Sequence, residues 1–312
     1  MTDHKGKQIA LAVFLTASLV TALGCSKTTN LAAPNTNYRS VQDDLGREVR
    51  LPQKVQRAIS LAPNITEMVF AVGAGDRLVG DTTYCNYPEA AKSIQKVGDT
   101  LTPNMETIVA LKPDIVLVST ASQLETFTHT LEQNSIAVYI SNPHSIDEVF
   151  KSMRELGEIF GTRDQVESSI SKLRERVQRV SRDRRPSDRP PKVFLQISEE
   201  PLFTIGRDSF LTEIIKNAGG ESVTKDVPGG YPKLSKETAL VLNPDVIILS
   251  DSSDNRAPGD AFKSSPAVKN GRILRVNADV LSRPGPRSVD ALEQVSAFLR
   301  PRETNKTVSV PE

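Results

Sequence analysis

One fourteen-residue passage occurs twice in this chain. Residues 106–119 read ETIVALKPDIVLVS, and residues 237–250 read ETALVLNPDVIILS, 131 positions later. Six of the fourteen positions are identical, and most others exchange one aliphatic residue for another. Each copy holds an acid, a helical turn or two, a Pro-Asp pair and a run of branched aliphatic residues. Such a run, bounded by turn residues, reads as a strand buried on both faces. A chain that repeats this unit is constrained to two similar halves, each with a helix feeding a buried strand.

The surrounding sequence has the same grammar. VQDDLGREVRLP (41–52) predicts an opening hairpin, and RAISLAP (57–63) a buried strand. Asn64 with Glu67 three later forms a capping-box pattern for a helix ending near Gly73. LVGDTTYCNYP (78–88) predicts a short strand running into a polar, aromatic loop. Thr102 as cap and Pro103 as first residue predict a helix through Leu111, and IVLVS (115–119) and AVYIS (137–141) are further buried strands. Strands alternating with helices give parallel βα units, so 39–144 is an α/β lobe. Residues 145–161 have apolar residues at helical period, stopped by Gly161. Thr162 and Gln165 restart a charged, exposed helix running to about Arg185 within a helical segment 145–191. A second lobe, 192–300, follows: KVFLQIS, PLFTIG, a helix from Asp208 to Gly219-Gly220, a Pro-Gly-Gly-Tyr loop, a helix from Ser235, DVIILS, ILRVN and a helix over 286–299. A polar tail occupies 301–312.

The first 24 residues read as a leader. Lys5 and Lys7 precede a continuous apolar run from Ile9 to Leu23, short for a membrane span. It ends in Ala22-Leu23-Gly24-Cys25, which resembles a bacterial lipobox and implies lipid on Cys25. Residues 25–38 are small and polar, a flexible tether. Cys85 is the only other cysteine, so with Cys25 lipidated no internal disulfide is available. Removing 1–24 leaves 37 basic and 37 acidic residues, a balance that excludes a nucleic-acid surface.

Two α/β lobes joined by a long helix, behind a lipoprotein leader, resemble the ABC-importer solute-binding proteins with a helical backbone. RAISLAPNITEMVFAVGAGDRLVGDTTYCNYPEAAKSIQKVGDTLTPNMETIVALKPDIVLVS looks much like the first lobe of the cobalamin receptors. VFLQISEEPLFTIG, YPKLSKETALVLNPDVIILS and VNADVLSRPGPR resemble pieces of their second lobe. The resemblance covers roughly residues 39–300. It implies mainly parallel sheets, one long rigid interdomain helix, a ligand cleft between the lobes and a monomer. It also implies an extracytoplasmic, lipid-anchored receptor that takes up a corrinoid or a related metal chelate, with haem or a ferric siderophore as the alternative, and passes it to an ABC permease.

Residue by residue, Tyr84 matches an aromatic that packs on the corrin ring, Tyr231 stands where those receptors carry a tryptophan, and Asp279 matches an acid that hydrogen-bonds a corrin amide. Phe203 is a further apolar wall. Tyr87, before Pro88, matches the iron-binding tyrosine of haem receptors. Arg283 either makes a structural salt bridge or faces an anionic ligand. The chain has no tryptophan, and Thr100 and Ser119 stand where cobalamin receptors have two more, which implies a looser pocket or a different chelate. Cys85 reads as a small buried side chain. Glu106 and Glu237 favour their helix dipoles where they stand, and by resemblance each docks on an arginine of one permease subunit. No cofactor or resident metal is expected. His129 and His144, the histidines beyond the leader, lack metal-ligand spacing, and no nucleophile-elbow, P-loop or dinucleotide fingerprint occurs. The reading from another class is an extracytoplasmic lipoprotein enzyme or scaffold on the same α/β frame.

Overall fold

The computed structural model describes residues 37–119, 124–183 and 189–300. Cys25, its leader, the expected tether as far as residue 36 and the 301–312 tail lie outside them, whereas Tyr38, expected as the tether's last residue, already belongs to the first strand. The chain opens with the expected hairpin, β1 (Tyr38–Gln42) antiparallel to β2 (Glu48–Pro52), with Val41 opposite Val49. The first lobe then runs β3 (Ala58–Ser60), α1 (Pro63–Ala71), β4 (Leu78–Asp81), α2 (Met105–Ala110), β5 (Ile115–Ser119), α3 (Leu124–Gln133) and β6 (Ala137–Ser141). Its sheet is wholly parallel, in the order β4-β3-β5-β6.

Two helices follow, α4 (Ile146–Phe160) and α5 (Arg163–Asp183). The second lobe contains β7 (Lys192–Ser198), β8 (Phe203–Thr204), α6 (Phe210–Asn217), β9 (Glu221–Ser222), α7 (Lys236–Leu242), β10 (Val246–Asp251), α8 (Pro266–Lys269), β11 (Ile273–Asn277), α9 (Ala278–Ser282) and α10 (Ser288–Leu299). Its parallel strands lie in the order β9-β7-β10-β11, with β8 added antiparallel along the outer half of β7. Numbered within each lobe, the parallel strands of both sheets therefore have the order 2-1-3-4, and the repeated passage is the second α-helix and third parallel strand of each.

The repeated residues have repeated jobs. Asn104 and Ser235 cap α2 and α7 by accepting from Thr107 N and Thr238 N, which places Glu106 and Glu237 both at the second helical position. Each helix is followed by a left-handed residue before proline, Lys112 (φ 46°) and Asn243 (φ 44°). The aspartate then stitches the new strand to its neighbour. Asp114 Oδ2 accepts from Gln56 N at 2.7 Å and Arg57 N at 2.9 Å, leading into β3. Asp245 Oδ2 accepts from Lys192 N at 2.9 Å, the start of β7.

Three expected helix starts differ. Pro63, with no N–H to satisfy, takes the first position of α1, so Ala62 is the cap and makes no side-chain bond. Asn64 and Glu67 are thereby released from capping. Pro103 is drawn into an antiparallel bridge with Gly98, and α2 begins after Asn104 rather than Thr102. The Thr162 hydroxyl is buried without a hydrogen-bond partner, so it does not cap α5. The other stop is as expected: Gly161 ends α4 at φ 72°, a conformation open to glycine at no steric cost.

Helix α5 has 21 residues, a rod of about 32 Å. Near its start Ser169 Oγ donates to Ala71 O of α1. Further along, Arg176 pairs with Asp290 at 2.5 Å and Glu293 at 2.6 Å on α10. The largest apolar cluster likewise includes Met68, Phe150 and Leu156 beside Ile170 of α5 and Phe210, Ile214 and Leu292 of the second lobe. One core thus runs through both lobes along α1, α4, α5, α6 and α10, while α2/α3 and α7/α8 cover separate clusters on the other sheet faces.

The strand stitches generate a stability prediction. Asp114→Ala and Asp245→Ala each remove an acceptor from a strand-opening N–H and are expected to cost about 1–2 kcal/mol. Asp114, with two donors, has the larger effect. Denaturant midpoints of the purified variants measure it, and wild-type midpoints for both would refute the assignment.

Candidate functional site

Three segments carry the expected site residues, and the first and third meet where the two lobes face each other. The first is the loop after β4. Asp81, fully buried, has Lys96 Nζ at 2.7 Å from Oδ1, while its Oδ2 has no partner. Burial pushes its pKa up to about 6 against the pull of Lys96. The folded form therefore holds this proton more tightly than the unfolded one, and this carboxyl subtracts stability as pH rises from about 4 to 6. Lys96 Nζ also donates to Cys85 O at 3.1 Å and Ala91 O at 3.0 Å, tying the loop down. Cys85 is buried, with Thr66 Oγ1 donating to Sγ at 3.1 Å and the Thr82 hydroxyl at 3.2 Å. Burial raises the thiol pKa, so Cys85 is held as an inert thiol. With Cys85 turned inward, Tyr84 and Tyr87 turn outward, 58% and 47% exposed. The Tyr87–Pro88 peptide is cis.

The second segment carries Tyr231. Gly206 N donates to Gly230 O at 2.9 Å and Arg207 N to Val227 O at 2.7 Å, folding the Pro-Gly-Gly turn back on the chain that follows β8. A Cβ on Gly206 would lie 2.2 Å from Gly229 O, so only glycine allows this approach. Asp208 Oδ2 accepts from Gly229 N at 3.0 Å. Tyr231 is half exposed at the end of the turn. Phe203 lies alongside, half-buried on β8 and bridged to Lys233.

The third segment joins β11 to α10. Asn277 caps α9 by accepting from Asp279 N and Val280 N. Asp279 is paired with Arg283 at 2.7 Å and also accepts from Asn86 Nδ2 of the first loop at 2.8 Å. Arg283 donates to Glu67 at 3.0 Å, Asn86 Oδ1 at 2.9 Å and Tyr84 O at 3.2 Å. Arg287 donates to both oxygens of Glu67, at 2.9 Å and 2.5 Å, and its guanidinium lies 4.2 Å from the centre of the Tyr87 ring. Asn64 Nδ2 donates to Pro284 O. Of the two readings open for Arg283, its visible contacts are those of a structural salt bridge.

Tyr84, Tyr87, Asp279 and Arg283 are therefore brought together, with Tyr231 and Phe203 on a separate loop and strand of the second lobe. Glu67, Asn64, Asn86 and Arg287 belong to the same assembly and escaped the sequence reading. Glu67 was legible in principle: an acid inside ITEMVF, a helix otherwise apolar on its inner side, requires a buried cation. Thr100 and Ser119 are half-buried and offer no aromatic wall. Two carboxylates and two guanidiniums pair within the floor, so its formal charge is zero. No group of three or more His, Cys, Asp or Glu suited to a metal ion occurs among the described residues. A hollow of about 910 Å³ opens elsewhere, lined by charged and polar residues around α6 and by His144, and none of the aromatic candidates lines it.

Comparison with known proteins follows this geometry. Over 251 residues the chain is 32% identical to the vitamin B12-binding protein of Vibrio cholerae, covering 80% of this chain and 91% of that one. The crystal structure of the Vibrio cholerae periplasmic vitamin B12-binding protein superposes with a TM-score of 0.71 at 32% identity, over 80% of this chain and 98% of the other. An uncharacterised ABC transporter substrate-binding lipoprotein of Bacillus subtilis is 28% identical over 275 residues, 84% of this chain and 85% of its own length. The family model described as periplasmic binding protein matches residues 59–280, and with the duplicated 2-1-3-4 sheets and the facing loops it establishes that the chain belongs to the periplasmic binding protein family.

Proposed function

We propose that this protein is an extracytoplasmic receptor that captures a corrinoid of the cobalamin class and hands it to an ABC importer, performing no covalent chemistry itself. The observation that carries the ligand class is the combination of exposed tyrosines with a charge-balanced floor. Tyr84, Tyr87 and Tyr231 present flat apolar faces, while Arg283 and Arg287 are already matched by Glu67 and Asp279. A large, flat, amide-fringed ligand suits such walls. A carboxylated chelate would have to compete with Glu67 for its cations. Asp279, its side chain 39% exposed, keeps acceptor capacity for an amide N–H. The similarity to the vitamin B12-binding protein of Vibrio cholerae supports the same reading.

Titrating the purified protein with cyanocobalamin, haemin and a ferric siderophore, by calorimetry and visible spectra, tests it. Saturable 1:1 binding of cyanocobalamin is expected. Binding of haemin alone, with a phenolate-to-iron band lost in Tyr87→Phe, would replace it with the haem reading, and turnover of a substrate would replace it with an enzyme. Tyr84→Ala and Tyr231→Ala are each expected to weaken cyanocobalamin by about 1–3 kcal/mol, whereas Cys85→Ser, altering an inward-facing group, has the smaller effect. Wild-type affinity in both tyrosine variants would remove the cleft assignment.

Two further parts of this reading concern location and delivery. Lipid on Cys25 anchors the receptor. Cys25→Ala is therefore expected to lose lipid labelling and move to the soluble fraction, and a wild type that carries no lipid label overturns it. The exposed Glu106 and Glu237, at matching positions on α2 and α7, each meet an arginine of a two-subunit permease. Glu106→Arg with Glu237→Arg is expected to abolish complex formation and uptake with ligand affinity nearly intact, and each single change to weaken docking most at low salt. Normal transport by the double variant would leave these acids as helix-dipole partners only.

A further inference from the structure

We infer that Glu67 is the positioning residue of the ligand site: through Arg283 and Arg287 of the opposite lobe it fixes the loop that presents Tyr84 and Tyr87. The inference rests on the reading of that loop as a ligand platform. Glu67 is itself 1% exposed in its side chain and lies on α1, out of reach of anything in the cleft. Its two oxygens receive three N–H bonds from two arginines. Each arginine holds one end of the loop. Arg283 binds the Tyr84 carbonyl and the Asn86 amide oxygen. Arg287 lies over the Tyr87 ring, a cation–π contact that holds the ring in place. The circuit closes in the first lobe, where Thr66, next to Glu67, donates to Cys85 in the middle of the same loop.

The direction of dependence follows from the chemistry. The tyrosines are about half exposed and have few fixed contacts of their own. The arginines, with 12% and 14% of their side chains exposed, need an anion to remain where they are. Of the two arginines Asp279 forms an ion pair with Arg283 only, so Arg287 has Glu67 as its ion-paired carboxylate among the described residues. Without Glu67, Arg287 gains by swinging to water, and Tyr87 loses the group on its face. Arg283 keeps Asp279 but is freed to turn toward it and away from the Tyr84 carbonyl. The loop keeps its Lys96 and Cys85 anchors, so it loosens at its outer residues and does not unfold.

Amide hydrogen exchange of the ligand-free protein, followed by cyanocobalamin release, tests this. In Glu67→Gln, peptides covering 82–88 are expected to exchange about tenfold faster, while those covering Ile115–Ser119 and Val246–Asp251 keep wild-type protection. Cyanocobalamin is expected to dissociate about tenfold faster with little change in association. Unchanged exchange of 82–88, or equal loss of protection in the loop and both strands, overturns the inference, the latter because it marks a general structural role. If Glu67→Gln does not fold, Arg287→Met, which leaves Glu67 paired with Arg283, decides by the same loop-to-strand comparison. The exchange arm needs no ligand. A wild type indifferent to cyanocobalamin therefore defeats the corrinoid reading, and the positioning role stands or falls on exchange alone.

Discussion

A carboxylate sealed from water between two lobes is the interaction on which the interior of this receptor turns. Ionised Glu67 in that position is tolerable only because two guanidiniums and three N–H bonds replace its hydration. Removing one partner from such a buried pair costs about 3–5 kcal/mol, since the other charge stays behind. That penalty makes the interlobe geometry selective. α1 cannot slide relative to the 283–287 segment without stranding a charge, and Pro284-Gly285-Pro286 between the arginines restricts their backbone. Stability alone does not account for the arrangement, because an apolar contact of the same volume would often serve as well. What the ions add is direction, and they aim it at the loop bearing the two tyrosines.

The architecture was legible where one local signal determined the result. The aliphatic runs IVLVS and VIILS became β5 and β10 with every residue buried except the half-buried Ser119, since a parallel strand covered on both faces leaves few other uses for such a run. Ser145 and Gly161 bounded α4 where the pattern put them. Helix starts failed where two signals competed. Asn64 and Pro63 both mark an N-terminus, and the proline prevailed because it lacks the N–H that a cap one residue later would leave to be satisfied. Thr102 lost to Asn104 because Pro103 was claimed by Gly98 and because Asp99 already accepted from Leu101 N and Thr102 N. The duplicated Pro-Asp was visible as a pattern but not as a function, since its partner N–H groups lie more than fifty residues away in sequence.

The site was less legible for the same reason at longer range. Tyr84, Tyr87 and Tyr231 stand out one at a time as aromatics in polar loops. Glu67 and Arg287 are separated by 220 residues, and nothing local to either names the other. Asp279 and Arg283, four apart on a short helical turn, could be paired from spacing, yet spacing does not reveal that Arg283 is shared with Glu67 and with the loop of the other lobe. That sharing decides whether the cleft offers an anionic ligand a free cation, so the property most relevant to ligand class is a sum over four residues from both halves of the chain.

The continuous core gives the last constraint. Apolar side chains from α1, α4, α5, α6 and α10 form one cluster through both lobes, and fully burying each large one contributes about 1.5–3 kcal/mol. A hinge that opened the lobes widely would divide this cluster and would break Glu67 from its arginines in the same motion. Both terms oppose rotation and both act along the helices, on the side away from the repeated α2 and α7. The parts left outside these constraints are exposed loop side chains, chiefly Tyr84, Tyr87 and Tyr231. On the proposed reading of these tyrosines as the ligand platform, selectivity lies in how their loops are held. Under the proposed docking, Glu106 and Glu237, at matching positions on α2 and α7, are held by helices packed on the two sheets and not by those loops.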